Sequence, residues 1–191
     1  MQVGSADCIV TSRKVVGMIS DTVRCLRPIN KCIATLMTLL IFCLLLGCLT
    51  GLRSLTPPAV VCWSAHLGWL NLAGTKLAFM NRPVTLILLS LLALAELIAD
   101  KLPKTPARTA PTGLIARVVL GCLCGVALAT AEGVKLLVPA SVGFIGALIG
   151  TFVGYKTRHT LVFRAHIPDF AVAIAEDVIA VAGSFLIASH L

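Results

Sequence analysis

LLGCLTGLRSLTPPAVVCWSAHLGW, Leu45 to Trp69, decides the fold. Its first part closes an uncharged apolar run, Cys32 to Thr50, of membrane-spanning length. Arg53 and the Pro57–Pro58 pair then stop the helix, because proline lacks an amide proton and disfavours helix in the residue before it. The next stretch, Ala59 to Trp69, is apolar again but short. At 1.5 Å per residue it falls well below the roughly 20 residues needed to cross about 30 Å of hydrocarbon. It reads as a half-helix, re-entrant or interfacial, with Trp63 and Trp69 as interface anchors.

The rest of the chain has the same character. Its 191 residues are 58% hydrophobic and 13% charged. A soluble domain is about half apolar, so membrane is the class. Further spans read as Pro83 to Asp100, Leu114 to Ala131 (with Arg117 near its start able to snorkel), Val138 to Tyr155 and Phe170 to Ser189. The fold class is therefore an all-α membrane protein: a helical bundle of about five transmembrane helices plus one re-entrant or interfacial half-helix. Residues 1–31 read as a basic cytoplasmic leader, partly disordered, and 32–191 as a polytopic transmembrane helical domain. The leader is not a secretory signal, since no A-x-A cleavage site follows it.

Sixteen Lys and Arg against eight Asp and Glu give a net charge of +8. The basic residues sit at the ends of apolar runs and form no patch with interleaved aromatics. The expected partners are the bilayer and anionic lipid headgroups, with no nucleic acid. The positive-inside rule puts the leader, Lys101 to Arg117 and Lys156 to Arg164 on the cytoplasmic side, with the N-terminus cytoplasmic and five crossings. Were Ala59 to Trp69 to cross, six spans would result and every later loop would flip. The eight cysteines lie mostly within apolar runs, and Cys122 and Cys124 are spaced C-x-C, unlike a redox or zinc pair. They read as small buried hydrophobes.

Glycines suggest a repeat. LLGCLTGLRS, Leu45 to Ser54, resembles LIGTFVGYKT, Leu148 to Thr157: Gly47 and Gly51 match Gly150 and Gly154, and Arg53 matches Lys156. In the five-crossing arrangement these spans run in opposite directions, as in an inverted-topology repeat. The plainer reading is packing. Gly143, Gly146, Gly150 and Gly154 line one helix face and let another helix approach closely, within the chain or in a homodimer.

The acids are the candidate site. Glu96 and Asp100 are four apart and share a helix face, followed at once by Lys101 and Lys104. Glu176 and Asp177 stand within AVAIAEDVIAVAG, Ala171 to Gly183, with Glu176 on the order of 10 Å along its helix from the cap at Asp169. Charge at that depth faces a bundle interior or a cavity. Lys156, Arg158, Arg117 and His166 are candidate partners in a structural ion pair. The sharper reading has Glu96 and Glu176 facing each other over one proton, with Arg53 at substrate or at the broken helix ends. No nucleophile motif, P-loop or metal-spaced Cys/His cluster is present, so no enzyme, cofactor or metal is expected.

GLRSLTPPAVVCWSAHLGWL, AELIADKLPKTPARTAP, GALIGTFVGYKTRHTLV and AIAEDVIAVAG together resemble a bacterial family of integral membrane proteins known as domain of unknown function 4126. The matching positions include Gly51, Arg53, Thr56, Pro57, Glu96, Asp100, Lys101, Pro103, Glu176 and Asp177. The resemblance implies a polytopic protein of a bacterial inner (plasma) membrane and brings no activity with it. Two functions fit: a small transporter or channel-like protein whose carboxylates handle a proton or cation, or a non-transporting structural, assembly or lipid-organising protein.

Overall fold

The computed structural model describes residues 33–99, 111–164 and 168–190. The chain divides at Thr38 into a short first unit and a second unit, Leu39–Leu191, which carries everything discussed below. The leader and Asp100 lie outside the described residues.

The described residues are helical, with no strand among them. The helices are α1 (Ile33–Leu52), α2 (Thr56–His66), α3 (Pro83–Ala99), α4 (Pro111–Ala131), α5 (Leu137–Phe163) and α6 (Asp169–Ser189), with a 3₁₀ turn at Ala78–Asn81 before α3. Four of them, α1, α4, α5 and α6, are long and apolar enough to span a membrane, and α3 is a shorter apolar helix of 17 residues. Large apolar side chains such as Val84, Leu91, Ile115, Val119, Val153 and Ile179 are exposed around the outside. Water would penalise such a surface, whereas lipid accepts it. The molecule is a multi-pass helical membrane protein.

α2 is the expected half-helix. Its 11 residues make about 16 Å, roughly half a bilayer core. It begins with Pro57 and Pro58 in the first turn and ends at Gly68, whose φ of 80° lets the chain fold back. There the Trp69 amide donates to the Ser64 carbonyl at 2.9 Å. Gly133, φ 67°, closes α4 in the same way, with the Val134 amide on the Ala129 carbonyl.

Helix directions follow from the contacts. A Cβ on Gly47 would meet Gly143 and Gly146, and one on Gly51 would meet Ala147, Gly150 and Thr151. Both numbers rise together, so α1 and α5 run parallel. In α4, Gly121 meets Ala147 and Gly143 while Gly125 meets Pro139 and Ala140, so α4 and α5 are antiparallel. Arg53 pairs with Asp177 while Leu49 lies beside Gly183, which makes α6 antiparallel to α1. Trp69 meets Phe185 edge-on, so α2 descends along α6, and Trp63 donates to Ser90 as α3 climbs back.

This corrects one expectation. The matched glycine spans are parallel neighbours, so they do not form an inverted repeat: a G-x-x-x-G face specifies close approach and leaves direction open. In addition, α2 returns toward the end from which α1 started. The α4–α5 turn lies at one end of the bundle. The α3–α4 and α5–α6 connections leave from the other. In a cysteine-free background, Lys135→Cys is expected to label from the side opposite His159→Cys. The check is a membrane-impermeant maleimide applied to each side of oriented vesicles, and labelling of both from one side would overturn the helix directions.

The core is divided by polarity. Toward the start of α1 it is apolar, built from Leu39, Cys43, Leu46, Val61, Met80 and Leu128 among others. Toward the α1–α2 break it holds Arg53, Thr56, Arg117, Thr151 and Glu176, all buried.

Candidate functional site

The site is built on the break. α1 keeps its ladder as far as Arg53, whose amide donates to the Leu49 carbonyl at 2.9 Å, and α2 opens its own with the Ala59 amide on Leu55 at 3.1 Å. A helix start normally leaves four amide donors without a partner. Here Pro57 and Pro58 have no amide proton to leave. Just upstream, Glu96 of α3 supplies the cap that α2 lacks from its own N-cap residue. Its carboxylate accepts the Ser54 amide and the Leu55 amide, each at 2.8 Å, and the Ser54 hydroxyl as well. A negative charge at a helix N-terminus also meets the positive end of the helix dipole. Glu96 therefore stands in the last turn of an apolar helix because a broken helix needs a cap there.

Arg53, at the other side of the break, is 0% exposed and forms an ion pair with Asp177 of α6. As a cation it sits at the C-terminal end of α1, where the dipole favours positive charge. Next along α6, Glu176 is 8% exposed and turned toward α5. Consecutive helical residues point about 100° apart, so one acid meets α1 and the other α5. The Arg158 guanidinium reaches Glu176 through Nη1 at 3.5 Å. It holds Asp169, at the start of α6, through Nε and Nη2, both at 2.7 Å. Thr151 completes the layer by donating its hydroxyl to the Ala147 carbonyl at 2.8 Å and to the Gly51 carbonyl at 3.3 Å.

Three candidate residues thus converge on the break, Arg53, Glu96 and Asp177, while Glu176 meets Arg158 of α5. The pairing differs from the sequence expectation. Glu96 binds the backbone of the break, and Glu176 binds Arg158, one of the partners the sequence offered. Arg53 pairs with Asp177, the second of the two candidate acids of α6. Arg117, expected to snorkel, is 7% exposed inside the bundle. The signal for it was available: a cation one turn and a half inside an apolar helix, on the face that carries Gly121 and Gly125. Gly47 and Gly51 of α1 pack against Gly143, Gly146 and Gly150 of α5, and Gly154 is buried on the same helix.

Glu176 and Asp177 of this layer lie within α6, a helix long and apolar enough to cross a membrane. Gly51 packs beside Gly150 and Thr151, about 8 Å short of Lys156 along α5. Among the described residues, no three His, Cys, Asp or Glu side chains group as metal ligands would. The described cysteines are free thiols.

A family model, Domain of unknown function (DUF4126), matches residues 40–190. The chain belongs to this family. Neither a curated protein nor a solved structure matches the chain. The DUF4126 match begins within α1 and takes in the break, the Glu96 cap and both acids of α6. Everything that builds the charged layer therefore lies in the DUF4126 region, and the leader lies outside it.

Proposed function

We propose that this protein is a small transporter or channel-like protein in which intramembrane carboxylates handle a proton or cation. One observation carries the reading: Arg53, Glu96 and Asp177, brought from the break, α3 and α6, meet at a discontinuous helix of an apolar bundle. Charge at the bilayer centre costs at least about 2–3 kcal/mol on insertion scales, so it is kept where something uses it. Broken helices whose ends face charged groups build ion and substrate sites in transporters. In this reading Glu96 holds the half-helix in place. Asp177 and Glu176 are the groups that exchange an arginine for a proton or cation. The protein acts without catalysis, in an inner (plasma) membrane, beside anionic lipid headgroups. The leader's five basic residues favour a cytoplasmic N-terminus.

A specific observation favours the rival, a structural or assembly role: three donors already occupy the Glu96 carboxylate. Flux separates the two. In liposomes loaded with a pH-sensitive dye and given a potassium gradient, the protein is expected to speed proton or cation equilibration. Asp177→Asn, still folded by gel filtration, is expected to remove most of that rate. Wild-type protein indistinguishable from empty liposomes would sink the transport reading and leave the structural one.

A further inference from the structure

The half-helix leaves a groove on the outer side of the bundle. α2 packs against both α3 and α6, and the three helices line a cavity of about 440 Å³. Its floor is Ala59 and Val60 of α2 with Ala93 of α3, all buried. Along α2 the lining runs from Thr56 to Trp63, and along α3 from Leu97 back to Ser90, at the three- and four-residue steps that mark one helix face. Phe185 and Val181 of α6 form the opposite wall. Trp63, Leu94 and Val181 are exposed at the rim. The groove therefore opens sideways, on the surface that lipid covers.

Its chemistry is that of hydrocarbon. Three lining residues carry a polar side-chain atom: Thr56, Trp63 and Ser90. The Trp63 indole donates to the Ser90 hydroxyl at 3.1 Å, and the Thr56 hydroxyl oxygen is buried beneath the surface. No lining residue is charged. A lipid headgroup would give up its hydration there without meeting a counter-charge. Water gains little, because an apolar cavity offers it too few partners.

Size separates the apolar occupants. Thr56 to Trp63 is seven residues, so the groove is on the order of 10 Å long. Spread over that length, the volume gives a cross-section of roughly 40 Å², about half of what a helix 10–12 Å across would fill. A transmembrane helix of a second copy is too wide, and a single hydrocarbon chain is not. Left empty, the walls would forfeit dispersion contacts, which are what hold apolar surfaces together in lipid. We propose that the groove between α3 and α6, floored by the half-helix α2, is a fixed binding site for one lipid acyl chain. The site stands on packing alone and is independent of the transport reading.

The chain's two tryptophans make the test direct. Trp69→Phe leaves Trp63, at the rim of the groove, as the one tryptophan. The full chain in detergent is titrated with phosphatidylcholine brominated on its acyl chains, which quenches indole fluorescence on contact. Quenching is expected to saturate at one lipid per protein chain. Ala93→Phe fills the floor and is expected to remove most of the saturable quenching. Val181→Phe adds bulk at an exposed rim position and is expected to do the same, which keeps the test decisive if Ala93→Phe does not fold. Ile115→Phe, exposed on α4 and no part of the lining, is expected to change nothing. Unbrominated lipid is expected to relieve the quenching, and glycerophosphocholine, the headgroup without chains, is not. Quenching without saturation, quenching that survives both filling variants, or relief by glycerophosphocholine would each overturn the site. So would a protein that runs as a dimer with Trp63 out of the quencher's reach, which would give the groove to a second copy.

Discussion

Arg53→Met is expected to lower stability by about 3–5 kcal/mol, because removing one partner of a buried ion pair strands the other. Arg53 is wholly buried and its partner Asp177 is partly buried, its side chain 14% exposed. The loss should appear in thermal or denaturant unfolding in detergent, with Asp177→Leu producing a comparable loss. The informative variant is the double one. Replacing a buried pair by apolar residues of similar volume is often neutral or stabilising by about 1–4 kcal/mol, so Arg53→Met with Asp177→Leu should recover most of the stability. A double variant as unstable as the sum of the singles would mean that the pair is not the main partner relation at the break. If the double variant folds well and the wild-type flux is gone, the charges serve function more than folding. If it folds well and no property changes, the structural reading gains.

Much of this was legible in the sequence, and the limits have physical causes. Arg53-Ser54-Leu55-Thr56-Pro57-Pro58 marks the break because two consecutive prolines forbid helix continuation whatever the tertiary setting. The half-helix follows by length alone. That Glu96 must have a partner is equally legible, since charge in an apolar helix is expensive. Which partner it has is not. The sequence offers other side chains as candidates, and the winner is a pair of backbone amides some 40 residues away, a donor type every position carries. The split between Glu176 and Asp177 is a matter of helix phase. Adjacent residues diverge by about 100°, so they were never going to act as one site, but the phase that aims Asp177 at Arg53 depends on where α6 packs. Helix direction was the least legible feature. Small-residue faces report closeness, and basic flanks report sidedness only when they all lie on one side. Here the described basic residues stand at both ends of α5, Lys135 before it and Arg164 after it.

That close packing is also the basis of the second large effect. Gly150→Ala is expected to destabilise the fold by at least about 1–3 kcal/mol, the usual cost of overpacking. A Cβ at Gly150 would meet the backbone carbonyl of Cys48 on α1, along with its Cα, and backbone cannot turn aside as a side chain can. Gly183→Ala is the control. Its Cβ would meet the tip of Leu49 at 3.0 Å, a flexible methyl that can rotate away. Alanine is also the better helix former by about 0.8–1.0 kcal/mol, so Gly183→Ala should be near neutral or mildly stabilising. Equal losses from both would mean that glycine matters here for some reason other than contact between α1 and α5. Because α1 ends in Arg53, any displacement of α1 by Gly150→Ala also shifts Arg53 against Asp177. The two perturbations are therefore coupled: Gly150→Ala combined with Asp177→Leu is expected to depart from additivity by about 0.5–3 kcal/mol. Strict additivity would show that the glycine face and the ion pair hold the break independently, and that α1 can move without disturbing the charges at its end.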